Sequence, residues 1–178
     1  MRKLVYVFTA LLFSQFSYGQ SVQDNATIPV SVTLNSILRL TVTTGGNIQF
    51  VFNTMDQYNN GIANTPNTTT TFSVSSSRDF DVTMGAEDAS LFGVEDVAHT
   101  LALSVIQYTM GASGGGTKIA GLNPLLQNTG PATIVSHTAG TGAARTYDIE
   151  WEAGTVTSVL NSPADVYVTN VFLNLQPQ

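Results

Sequence analysis

The stretch Thr146-Tyr147-Asp148-Ile149-Glu150-Trp151-Glu152 decides the class of fold. Apolar and acidic side chains alternate in it at a period of two, which only an extended strand can sort onto opposite faces. Tyr147, Ile149 and Trp151 are therefore predicted to point inward, and Asp148, Glu150 and Glu152 outward. A strand with one apolar face must bury it against a second layer. The same period recurs in Ile28, Val30, Val32 and Leu34, and again in Leu38, Leu40 and Val42 after the Asn35-Ser36 break. Phe72 and Val74, then Phe80, Val82 and Met84, read as two half-buried strands of a hairpin turned at Ser75-Ser76-Ser77. Residues 101–110 read as a central strand, residues 133–137 as a short one, and residues 166–175, apolar on both faces, as a strand in the middle of a sheet. No helix-period segment of useful length competes, so the chain is predicted to be all-β. The expected architecture is an immunoglobulin-like β-sandwich of about 8–10 mostly antiparallel strands.

Turn chemistry punctuates these strands. Gly45-Gly46-Asn47 turns the chain into residues 48–52, and residues 56–61 (DQYNNG) are rich in types that tolerate positive φ and predict a turn. Residues 63–71 form a low-complexity threonine-rich stretch, residues 87–100 are predicted to be loop, and residues 111–116 a mobile glycine-rich tip.

The first 19 residues combine Arg2 and Lys3, an apolar run from Leu4 to Phe13 and the small-x-small pattern Ser17-Tyr18-Gly19, which predicts an export signal at residues 1–19. Cleavage there leaves 159 of the 178 residues, an ordinary size for the single domain expected over residues 20–178. The apolar run is about half the length needed to cross a bilayer, so no membrane span is predicted. There are no cysteines, which excludes disulfide scaffolds, thiol catalysis and cysteine zinc sites. After removal of the leader, Arg39, Arg78, Lys118 and Arg145 face 12 acids for a net charge of −8, a surface that repels nucleic acid and anionic lipid. Charged residues make up only 10% of the chain, so hydroxyls and amides must keep it wetted.

Candidate chemistry is sparse. Glu87-Asp88 and Glu95-Asp96 are two acidic pairs in one predicted loop, and their clustered oxygens make them candidate calcium ligands, with a solvated acidic loop as the plain alternative. No other cofactor is expected. His99 and His137 are the only histidines, and no serine stands in a nucleophile elbow. Ser136 and His137 are strand neighbours whose side chains point to opposite faces. In Gly111-Ala112-Ser113-Gly114-Gly115-Gly116-Thr117-Lys118 the lysine follows the threonine, the reverse of a phosphate-binding loop. Trp151, Tyr147 and Tyr167 are possible sugar-stacking rings, but Trp151 shares its face with Ile149 and reads as core.

Exported sandwiches that polymerise lend a terminal strand to a neighbour's open sheet edge. Ile28, Val30, Val32 and Leu34, behind a polar leader, have the required form and are the candidate subunit interface; an ordinary first strand is the alternative. The leader, the early strand pair, the serine-rich segment 69–84 and the closing Ser162-Pro163-Ala164-Asp165-Val166-Tyr167-Val168-Thr169-Asn170-Val171 resemble small pilin-like, spore-coat-U-like secreted sandwiches of Gram-negative bacteria. The resemblance implies a non-enzymatic structural or adhesive component of the periplasm or cell surface. It lacks the cysteine pair of many such subunits, and Pro177 stands where chaperone-bound pilins carry a penultimate aromatic. The expected function is a subunit of a surface filament or fimbria-like appendage, a homo-oligomer assembling by β-strand addition. The alternative is a monomeric adhesion module binding a surface glycan, with calcium at the 87–96 loop.

Overall fold

The computed structural model describes residues 29–33, 36–138 and 143–178. The chain divides into two units, Met1–Leu34 and Asn35–Gln178. Of the first, only residues 29–33 are described; the expected export signal, Ile28 and Leu34 lie outside the described residues, as does the turn expected at 140–142.

The strands of the second unit run β1 (Leu38–Thr44), β2 (Thr69–Ser76), β3 (Phe80–Ala86), β4 (Ser90–Gly93), β5 (Thr100–Ala102), β6 (Ile106–Met110), β7 (Thr117–Lys118), β8 (Asn123–Pro124), β9 (Ala132–His137), β10 (Arg145–Ala153), β11 (Tyr167–Val168) and β12 (Val171–Pro177), with one short helix, α1 (Met55–Asn60). They form a five-stranded sheet in the order β1-β2-β10-β6-β8, a four-stranded sheet β12-β3-β9-β7 and a small three-stranded sheet β11-β4-β5. Every neighbouring pair is antiparallel. The fold is all-β and sandwich-like.

The alternation that predicted β10 is its buried pattern: Tyr147 and Ile149 are fully buried and Trp151 nearly so, while the acids between them are not. Beside it, β2 buries Thr70, Phe72, Val74 and Ser76 in the same rhythm. From the other large sheet come Phe80, Val82, Met84, Ile134 and Val135, and all of these apolar side chains join one core cluster. Each large side chain so buried contributes roughly 1.5–3 kcal/mol relative to exposure. The polar atoms among them are mostly paired. The Trp151 indole N–H donates to Thr70 Oγ1 at 2.9 Å, and that hydroxyl donates to the Gly45 carbonyl at 2.7 Å. Gly45 sits at φ +66°, and a Cβ there would collide with the Thr69 carbonyl. The first turn therefore needs glycine. Among the described residues, three buried hydroxyls, on Thr83, Tyr108 and Tyr147, have no protein partner.

Several expectations are corrected. Phe72/Val74 and Phe80/Val82/Met84 do not form a hairpin, because β2 and β3 belong to different sheets. The serines carry the chain across the core: Ser76 Oγ donates to the Arg78 carbonyl at 2.6 Å and accepts the Arg78 amide at 3.0 Å, closing the bend between layers. Residues 56–61 are mostly helix, not turn. The Gln57 amide donates to Thr54 Oγ1, and the Thr54 amide donates back to Gln57 Oε1 at 3.0 Å, a capping box that satisfies both ends of the first turn. Residues 48–52 form no strand, and the 87–100 stretch is not all loop, since it holds β4 and the start of β5. A 3₁₀ turn at Leu103–Val105 splits the predicted 101–110 strand. The closing segment 166–175 is likewise two strands in two sheets, and β12 lies at an edge instead of in the middle. Its apolar content on both faces reflects an exposed flank, with Val171 and Phe172 open to solvent. Among the described residues no helix is long and apolar enough to cross a membrane.

Candidate functional site

Two surfaces of the second unit combine exposed apolar side chains with strands at or near a sheet edge. The first is a flank. Among the described residues β1 pairs only with β2 and β12 only with β3, so each presents an outer edge of backbone donors and acceptors. The two strands approach one another, which puts both edges along one side of the sandwich. Leu38 and Val42 on β1 and Val171 and Phe172 on β12 are exposed. In the first unit, residues 29–33 form no helix or strand, and Val30 and Val32 are 84% and 79% exposed.

The second surface is the small sheet, and its geometry starts from a residue that sequence reasoning missed. Asp165 lies at the entry to β11 with a side chain that is 0% exposed. Its carboxylate accepts the amides of Glu95 at 3.0 Å, Asp96 at 3.1 Å and Val166 at 2.7 Å, and faces His99 Nδ1 at 3.0 Å. Its pKa falls from 3.8 to about 2, chiefly through the Glu95 amide, with the Asp96 amide, His99 and the Val166 amide adding to that against the opposing effect of desolvation. Gly93 is required beside it, because a Cβ there would collide with this carboxylate. Asp96 in turn lies 3.8 Å from His99 Nε2 and accepts the Ala98 amide at 2.9 Å. Tyr167, the first residue of β11, donates its hydroxyl to the Pro163 carbonyl at 2.8 Å and closes the bend before the strand. The arrangement is a latch that fixes the acidic loop to the last part of the chain. An aspartate placed just before a predicted strand, after Ser162-Pro163-Ala164, was its only signal in the sequence.

The four acids of the calcium expectation are divided by β4. Glu95 and Asp96 follow the strand, while Glu87 and Asp88 precede it, and Glu87 Oε2 accepts Asn170 Nδ2 at 2.6 Å. Strand β4 alone spans roughly 13 Å. Among the described residues no group of three or more histidine, cysteine or acidic side chains is placed to hold a metal ion.

The remaining candidates are tied into local structure. Lys118 Nζ donates to three successive carbonyls, Gly111 at 2.8 Å, Ala112 at 2.7 Å and Ser113 at 2.7 Å, so the glycine-rich tip is not the free loop its composition predicts. Asp148 on the wet face of β10 accepts Ser113 Oγ at 2.6 Å and Thr71 Oγ1 at 2.8 Å. His137 stacks on Phe80 with ring centroids 5.6 Å apart, beside a recess of about 170 Å³ lined by Gly116, Ser136 and Gln178. There the Ser136 hydroxyl bonds to Asp81, and His137 Nδ1 faces the Thr138 carbonyl at 2.5 Å. Serine and histidine therefore do not make a nucleophile–base pair.

Fold and surfaces together define an all-β sandwich with an apolar flank and a latched acidic loop. No protein-family model matches the chain, and no curated protein matches it.

Proposed function

We propose that the protein is an exported, non-enzymatic structural subunit of a surface filament or fimbria-like appendage, assembled by adding a strand from one copy to a sheet edge of the next. The observation that supports this reading best is the flank formed by β1 and β12. Two outer edges with exposed Leu38, Val42, Val171 and Phe172 offer main-chain hydrogen bonds and apolar contacts together, as strand addition requires. The alternating segment Ile28, Val30, Val32 and Leu34 supplies the complementary strand, and its two described valines are open to solvent. The low charge density of the chain favours close packing of copies without self-repulsion at each contact. Gram-negative export to the periplasm or cell surface follows from the leader and from the pilin-like resemblance.

The test is deletion of residues 20–34 from the mature protein, followed by negative-stain microscopy and size-exclusion chromatography. Loss of polymers from a chain that keeps its β-type circular dichroism spectrum supports the reading. Polymers of unchanged length and abundance overturn it.

A further inference from the structure

The small sheet has an outer face that the assembly reading does not use. Val168 lies opposite Phe92 in the β11–β4 ladder, and the Val94 amide donates to the Val166 carbonyl at 2.9 Å, extending the pairing by one step. Because successive residues alternate faces, Phe92, Val94, Val166 and Val168 share one side, while Leu91 and Gly93 turn inward and are buried. The four outward side chains are 39%, 61%, 58% and 51% exposed. This is a contiguous apolar strip, not scattered surface.

Acids stand at both of its ends. Glu95 and Asp96 extend the β4 end of the strip, and Glu87, bonded to Asn170, lies beyond the other end. The sequence holds no lysine or arginine between Arg78 and Lys118 and none after Arg145, so no element of the small sheet supplies either, and its one histidine, His99, faces Asp165 and Asp96. The strip covers on the order of a few hundred Å². That is short of the roughly 800 Å² per partner that a stable dimer needs, and two such faces would oppose acid with acid. The chain's own segment 20–34 is a poor occupant as well, since it carries Asp24 and no lysine or arginine.

We infer that this face docks an extended segment of a different protein, with apolar side chains on one side and lysine or arginine at both ends. The alternating apolar side chains cover Phe92, Val94, Val166 and Val168, and the flanking cations meet the carboxylates at the two ends. Burial supplies the affinity and charge sets the partner. The inference is independent of strand exchange at the β1/β12 flank.

The probe is a synthetic heptapeptide of alternating valine and threonine with a lysine at each end, titrated into the mature protein by fluorescence anisotropy. Two controls replace the lysines with glutamates or the valines with serines. The account expects each control to bind at least tenfold more weakly, Phe92→Ser and Val166→Ser each to weaken the lysine peptide about tenfold, and added salt to weaken it further. Val156→Ser, exposed and part of neither surface, should leave binding unchanged. Equal binding of the lysine and glutamate peptides overturns the inference, as does undiminished binding to both Phe92→Ser and Val166→Ser. A dimer in sedimentation that is lost in Phe92→Ser would assign the face to a second copy and overturn it too.

Discussion

Strands β10 and β1 lie in the same sheet with only β2 between them, yet different physics governs them. On β10 every second side chain is sealed in the core and two of the intervening acids find hydroxyl partners, Asp148 on Thr71 and Ser113 and Glu150 on Thr109. On β1 the same apolar alternation, Leu38, Leu40 and Val42, leaves only Leu40 half-buried and the other two open. Alternation alone does not specify burial. A strand paired on both sides and covered by a second sheet turns it into stability, whereas an edge strand leaves it available for another chain.

The contrast is sharpest under mutation. Trp151→Ala should cost about 3–5 kcal/mol in urea unfolding, because it removes a core ring together with the indole's hydrogen bond to Thr70. Val42→Ala should stay within about 0.5 kcal/mol. A comparable loss at Val42 would make β1 a core strand and break the comparison.

Next in size is Lys118→Met, expected to cost about 1–2 kcal/mol by leaving three tip carbonyls without their cation. Amide exchange at residues 111–116 should rise with it; an unchanged exchange pattern would mean that the lysine holds nothing in place.

The latch gives a smaller, pH-dependent effect. Asp165 has a folded pKa of about 2 against an ordinary 3.8, so the unfolded state takes up more protons between these values. Its contribution is complete above pH 4 and fades as pH falls through 2. Unfolding curves collected from pH 5 to pH 2 should therefore decline more steeply in the native protein than in Asp165→Asn, which starts lower and stays flatter. Parallel profiles would remove the latch.

Smallest of all is Tyr108→Phe. Burial pushes this phenol up to about 12, and its hydroxyl has no protein partner, so its removal should change stability by less than about 1 kcal/mol, in the stabilising direction. A clear loss of thermal stability would show that the hydroxyl has a bridging partner.

The sequence announced the strands whose alternation is local and left obscure the features set by distant partners. β10, β2 and β9 were legible because their apolar period is two and their flanks hold turn residues. The crossing between β2 and β3 was not, since the serines that bend the chain are compatible with a hairpin and only packing across the core selects the other sheet. Helix α1 is obscure in the sequence although Thr54-Met55-Asp56-Gln57 spells a capping box, because Asn59, Asn60 and Gly61 suit a turn equally well. The closing segment looked like a buried central strand since apolar residues on both faces have two origins, burial between layers or an open flank. At the candidate site, Glu95 and Asp96 were visible as acids, but Asp165 lies 69 residues beyond Asp96 and acquires its role only when the two are folded together.

The exposed valines of the first unit carry the central claim. Val30→Asp combined with Val32→Asp alters two side chains that are 84% and 79% exposed, so folding of the sandwich should be untouched. Negative-stain microscopy of the native mature protein and of this variant at one concentration should show filaments from the first and single particles from the second, with unchanged circular dichroism spectra. Filaments of the same length from the doubly charged variant, or none from the native protein, would contradict assembly by addition of this segment to a neighbour.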